Sequence, residues 1–210
     1  MTDTYHTIIR HYEDCLGKFG DSHRGVDWPN EADAATRYQV MLGLIKPSAT
    51  EQTLLDFGCG ASHLYQYMLE HNVTGLRYAG LDASSAFCDL SARKYPQNPY
   101  LCVDVLCEPE RVGEFDYIVM NGVFTEKRGL SFDDMFDYFK EVLRIVFRKA
   151  RRGIAFNVMS KQVDWERADL FHLPISSLTD FLAKELSRHY VVRNDYGLYE
   201  YTTYVHKEHS

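Results

Sequence analysis

From Thr53 onward, short apolar runs alternate with amphipathic stretches. Runs at 53–57, 77–82, 100–104, 115–120, 153–159, 189–194 and 199–206 predict strands, and helical apolar spacing marks 62–72, 84–94, 131–149 and 176–187. Upstream, 3–17 and 31–45 also carry helical spacing. The segment between them, Gly20 to Asn30, is a loop by its Gly, Asp, Asn and Pro content, and Pro47 and Ser48 close the second helix. The first five strands alternate with helices or short connectors, which predicts parallel pairing through right-handed crossovers. Only Asp195 to Leu198, including Gly197, separates the last two, so they are expected to form an antiparallel hairpin. The expected architecture is an α/β doubly wound seven-stranded sheet with an antiparallel C-terminal hairpin. It reads as a single domain over 1–210, with a helical cap at 1–50 and a core at 51–210.

In such a sheet, ligands bind outside the carboxyl ends of the strands, near the point where the strand order reverses. Asp56, Asp82, Asp104 and Asn121 all fall at predicted strand ends. After Asp56 come Gly58 and Gly60, then a helix. That turn brings bare backbone against a ligand that a side chain would block. Three acidic strand ends suit a ligand carrying hydroxyls, an amine and a base. A phosphate ligand fits poorly, and Gly58-x-Gly60-x-x-His63 lacks the third small residue of a dinucleotide-binding turn. Ser62 is expected to cap the following helix through its hydroxyl.

Asp56-x-Gly58-x-Gly60 resembles the first motif of class I S-adenosylmethionine (SAM)-dependent methyltransferases, a Rossmann-like family. Asp82 resembles their second acidic position and Asp104 the third. The stretch from Asp116 to Phe124 resembles their fourth motif, and Gly153 to Asn157 their strand-five motif. The resemblance implies SAM as cofactor, with Asp82 on the ribose diol, Asp104 at the adenine amino group, and Ala83, Val105 and Asn121 beside them. A bacterial group within that family shares Gly25-Val26-Asp27-Trp28 and an acidic-Tyr segment like Asp195 to Tyr201, which extends the resemblance over most of the chain. The activity it implies is methyl transfer to O or N of a small-molecule acceptor. A second outcome uses the same nucleoside pocket: intramolecular cyclisation of SAM with release of methylthioadenosine.

The flanking segments are the expected acceptor side. Trp28 either faces the sulfonium as a cation–π partner or anchors the cap. Asp27 either meets the acceptor, caps the second helix or pairs with Arg37. Phe124 either walls the sulfonium or packs in the core. Trp165, in a stretch without clear periodicity, and Tyr199, at the start of the last predicted strand, are further acceptor candidates. His23 is the candidate general base, needed only if the acceptor is not already a nucleophile. The run Arg148 to Arg152 is expected to be a solvated helix end. No Asn-Pro-Pro-Tyr motif follows strand four, which disfavours nucleobase and glutamine amides as acceptors.

Composition narrows the partners. A net charge of −7, from 23 basic and 30 acidic residues, argues against duplex nucleic acid. No apolar run approaches membrane-spanning length. The five cysteines include no CxxC pair, which reads as a reduced, cytoplasmic chain without a zinc motif or disulfide framework. Aromatic residues make up 14% of the chain, with 15 Tyr and 12 Phe, enough to wall a pocket for a flat or cationic ligand as well as to fill a core.

Overall fold

The computed structural model describes residues 5–207. Seven strands form one sheet in the order β3-β2-β1-β4-β5-β7-β6. They are β1 (Gln52–Phe57), β2 (Leu76–Asp82), β3 (Tyr100–Cys102), β4 (Phe115–Met120), β5 (Ala150–Met159), β6 (Tyr190–Arg193) and β7 (Glu200–His206). The first five pair in parallel, and β7 runs antiparallel to both β5 and β6, as the short Asp195–Leu198 connection predicts.

The central strands read as continuous apolar runs because both sheet faces are covered. Alternation sends Leu55, Phe57, Ile118, Met120, Ile154 and Phe156 to one face, and Leu54, Val119 and Ala155 to the other. The first face is covered by α5 (Phe132–Lys149), which buries Met135, Phe139, Val142, Leu143 and Val146 along one helical stripe. Ser131 caps it, its hydroxyl accepting from the Asp134 N–H, with Asp133 and Asp134 in the first turn. A short helix, α6 (Ile175–Phe181), continues as a π-helical turn over Leu182–Leu186.

Helices α3 (His63–Glu70) and α4 (Ser85–Lys94) follow β1 and β2. The two N-terminal helices, α1 (His6–Phe19) and α2 (Glu31–Leu42), do not act as one cap. Helix α2 is a layer helix: Ala34, Tyr38 and Met41 pack on Leu54, Val119 and Ala155, and the Tyr204 hydroxyl bonds the Val40 carbonyl. Helix α1 and the 3₁₀ turn His23–Val26 roof the carboxyl ends of the strands, with Trp28 beside them. The apolar spacing of α2 looked like that of α1, yet its stripe lies on the sheet face.

Two of the boundaries that differ from the sequence reading have a clear local cause. The β3 ladder stops at Cys102, because Asp104 turns the chain: its Oδ1 accepts from the Leu106 N–H at 3.0 Å and its carbonyl from Cys107 and Glu108. Strand β5 starts at Ala150, so Arg151 and Arg152 belong to the sheet; Arg151 Nε donates to Asp116 Oδ1 at 3.1 Å. Only Arg148 and Lys149 end α5 beside its dipole.

Candidate functional site

A cleft enclosing about 1070 Å³ of empty space, open solvent included, lies over the carboxyl ends of β1, β2 and β4. Its floor is the glycine turn. Gly58 and Gly60 have φ of +70° and +51°, and the Gly58 and Cys59 N–H groups both donate to the Leu81 carbonyl, at 2.7 and 2.9 Å. A Cβ on Gly58 would sit 2.6 Å from Val123 Cγ2, so that position needs glycine for space as well as for φ; one on Gly60 would sit 3.2 Å from Val26 Cγ1, where the positive φ decides. Ser62 is also left-handed, at φ +57°. Its hydroxyl does not cap α3; it donates to the Tyr100 hydroxyl at 3.1 Å.

Asp82 is half-buried and held from two sides: Oδ2 accepts from Gly60 N–H and Oδ1 from Ser84 N–H, each at 2.9 Å. Burial pushes its pKa up, against those backbone donors. The glycine turn and the carboxylate therefore position each other. Ser84 caps α4 by backbone position only, since its hydroxyl donates to Glu13 of α1 at 2.6 Å. Beyond Asp82 the wall is apolar, with Phe87, Val103, Leu106, Tyr138 and Val142.

Asp104 reaches the cleft but is engaged from the roof. The Tyr5 hydroxyl donates to its Oδ2 at 2.7 Å, and His6 Nε2 stands 3.4 Å away. Asp56 is buried, 3% exposed, and accepts from the Tyr78 hydroxyl at 2.8 Å. Burial pushes its pKa up to about 7, with Tyr78 opposing and Asp82 adding to the rise. This predicts a pH effect. The folded chain keeps a proton on Asp56 that the unfolded chain has lost, between about pH 4 and pH 7. Stability therefore falls as pH rises through that window, by up to about 1.4 kcal/mol per unit, and levels off above it. Asp56→Asn removes that slope. Urea unfolding of parent and variant at about pH 5, 6 and 8 checks this; parallel pH profiles would contradict it.

At the end of β4, Asn121 lines the cleft and its Oδ1 is buried without a hydrogen-bond partner. Gly122 follows at φ +79°, with room for no side chain: a Cβ would lie 2.7 Å from Trp28 Cζ2. The Gly122 N–H donates to Asn157 Oδ1 at 2.8 Å, and its carbonyl accepts from the Tyr12 hydroxyl at 3.1 Å. A buried chain supports this turn. Asn157 Nδ2 donates to Glu200 Oε1 at 2.9 Å, Arg37 Nε donates to Glu200 Oε2 at 2.8 Å, and the Arg37 guanidinium carbon lies 4.1 Å from the Trp28 ring centroid. One cation thus already stacks on Trp28 while the indole edges the cleft.

The cleft brings together Trp28, Asp56, Gly58, Gly60, Asp82, Ala83, Asp104, Val105 and Asn121. It does not include the other candidates. Phe124 is fully buried, edge-on to Phe139 at 4.9 Å, because the turn that follows β4 directs it inward after Asn121. Asp27 pairs with His11 at 2.7 Å, while Arg37 pairs with Glu200 instead. His23 opens the 3₁₀ turn, its carbonyl accepting from the Trp28 N–H at 2.8 Å. Trp165 and Tyr199, 72% and 63% exposed, share a separate shallow pocket with Met159 and Leu170. The sequence reading expected a helical cap there but named none of its cleft-lining residues, Tyr5, Ile8, Ile9 and Tyr12, although the amphipathic spacing of 3–17 carried them.

Residues 55–151 match a family model described as a methyltransferase domain. Rv1506c of Mycobacterium tuberculosis, which bears a methyltransferase name, is 27% identical over 156 residues, 72% of this chain and 91% of that protein. Magnesium protoporphyrin IX methyltransferase (ChlM) from Synechocystis PCC 6803 with bound SAM superposes with a TM-score of 0.63 at 13% identity, over 96% of each chain. The CurJ carbon methyltransferase gives 0.58 at 14%, over 97% of this chain and 67% of that one, and the [4+2]-cyclase SpnF gives 0.59 at 15%, over 89% and 73%. At these identities the structures speak for the fold alone. The chain thus has the fold of the class I SAM-dependent methyltransferases, and its residues 55–151 match the methyltransferase domain, which supports S-adenosylmethionine as its cofactor.

Proposed function

We propose that this protein transfers the methyl group of SAM to an oxygen or nitrogen of a small polar acceptor, in a reduced cytoplasmic setting. The observation that carries the reading is Asp82, locked by two backbone donors beside a glycine turn whose positive φ values disfavour side chains. The cleft fits SAM in chemistry as well as in shape. Asp82 has lone pairs left for a ribose diol, Phe87, Val103 and Leu106 line a slot for a flat base, and Asn121 Oδ1 is a buried acceptor awaiting a donor. When bound, SAM supplies a methyl carbon already activated by a sulfonium.

The chain's own contribution is binding, orientation and exclusion of water. Ile8, Ile9 and Tyr12 roof the cleft, and Tyr12 ties that roof to Gly122. No positioned base stands out: among the described residues lining the cleft the one imidazole is His63, whose Nε2 faces Asp21 at 2.8 Å. An acceptor that is already a nucleophile, such as a carboxylate, suits such a site. A roofed cleft on a chain of net charge −7 favours a metabolite over nucleic acid. Trp165 and Tyr199, at the carboxyl end of β5, are proposed to contact the outer part of the acceptor.

Incubation with SAM alone, followed by chromatography, tests the reaction type. Adenosylhomocysteine appearing only with an added acceptor supports transfer. Methylthioadenosine formed without any acceptor would overturn it in favour of cyclisation.

A further inference from the structure

We infer that His11, Cys15 and Asp27 bind one zinc ion, which clasps α1 to the turn carrying Trp28. His11 and Cys15 lie one turn apart on α1 and share a face. Asp27 ends the 3₁₀ turn in the left-handed region, at φ 58°, and its carboxylate meets that face. The three donor atoms all lie within 4.8 Å of one another.

The geometry excludes a cysteine–histidine–aspartate proton relay. A relay uses both ring nitrogens, one towards the nucleophile and one towards the acid. Here the same nitrogen, His11 Nε2, faces Asp27 Oδ2 at 2.7 Å and Cys15 Sγ at 3.8 Å. One nitrogen serves one proton, so three donors converging on a single point are satisfied better by a cation than by a hydrogen.

Zinc fits the distances and the donor set. Its ordinary bonds to sulfur, nitrogen and oxygen, at tetrahedral angles, separate S and N by about 3.5 Å and N and O by about 3.3 Å. The observed 3.8 Å needs only a small closure, and the 2.7 Å contact opens by roughly half an ångström once the Nε2 proton of the neutral imidazole has moved to Nδ1. Mixed thiolate, imidazole and carboxylate ligands select zinc over magnesium or calcium. On binding, the Cys15 S–H bond breaks, an S–Zn bond forms and the proton leaves to solvent; thiolate and carboxylate together balance the ion's charge. Cys15 is buried, while the His11 and Asp27 side chains are 19% and 35% exposed, which leaves a fourth position for water. The ligands are split between a helical i, i+4 pair and a turn, so no CxxC-type signature announces them. Because Ile8, Ile9 and Tyr12 share α1 with the site and Trp28 follows Asp27, the ion would fix the roof of the cleft.

The test is a cobalt titration of the metal-depleted full chain, with cobalt standing for zinc. The expected result is one equivalent bound, four-coordinate visible bands and a near-ultraviolet sulfur-to-cobalt charge-transfer band. Cys15→Ser should lose that band. Asp27→Asn, which tolerates the left-handed turn, should keep the parent far-UV circular dichroism and bind about tenfold more weakly or worse. Equimolar zinc should raise the melting temperature of the parent and of neither variant. Failure to bind an equivalent, or a charge-transfer band that survives in Cys15→Ser, would overturn the site. None of these readouts depends on methyl transfer.

Discussion

Asp82→Asn should weaken adenosylhomocysteine binding by roughly 10- to 100-fold, the cost of losing charge-assisted hydrogen bonds in a partly desolvated cleft. The carboxylate has two tasks that the amide cannot share. Toward the protein, it accepts from Gly60 N–H and Ser84 N–H, one on each oxygen. The amide keeps one of those acceptors and turns a donor toward the other N–H. Toward the ligand, two oxygens matching a diol become one. The loss should appear in calorimetric titration while far-UV circular dichroism stays that of the parent, because the glycine turn keeps its two bonds to the Leu81 carbonyl. A variant binding as tightly as the parent would refute the ribose assignment.

Arg37→Met should be the most destabilising single change in the site's support. Arg37 is 9% and Glu200 1% exposed, and their contact is 2.8 Å. Removing the cation leaves a buried carboxylate answered, among the described residues, by Asn157 and Tyr196. Breaking such a pair costs about 3–5 kcal/mol. For a chain of this size that corresponds to a fall in melting temperature of roughly 6–20 °C. The loss reaches the site, since Glu200 orients Asn157, Asn157 holds Gly122, and Arg37 stacks on Trp28. Differential scanning calorimetry checks the shift, and a fall of less than about 2 °C would mean that the pair is not the keystone described.

The contrast between these residues explains what was legible from sequence. Central strands buried on both faces stand out as apolar runs, and their ends are marked by turn chemistry, so Asp56, Gly58, Gly60 and Asp82 could be located from local pattern alone. Asp104 was located, but its partner Tyr5 is 99 residues away, and local pattern carries no record of such a contact. Arg37 and Glu200, 163 positions apart, were hidden for the same reason, and the nearer Asp27 was the natural partner to expect. Asn121 and Phe124 show a finer limit. Both sit in one short segment after β4, yet one lines the cleft and the other is sealed among Phe139 and Phe156, because local turn geometry decides direction. Helix α2 carries the same kind of apolar stripe as a roof helix, and only the sheet face it meets shows it to be a layer element.

The central claim is that the cleft floored by Gly58, Gly60 and Asp82 is the SAM site. Calorimetric titration of the full chain with adenosylhomocysteine tests it most directly. A saturable isotherm with one site per chain, weakened in Asp82→Asn, is the predicted result; no binding at millimolar ligand would contradict it.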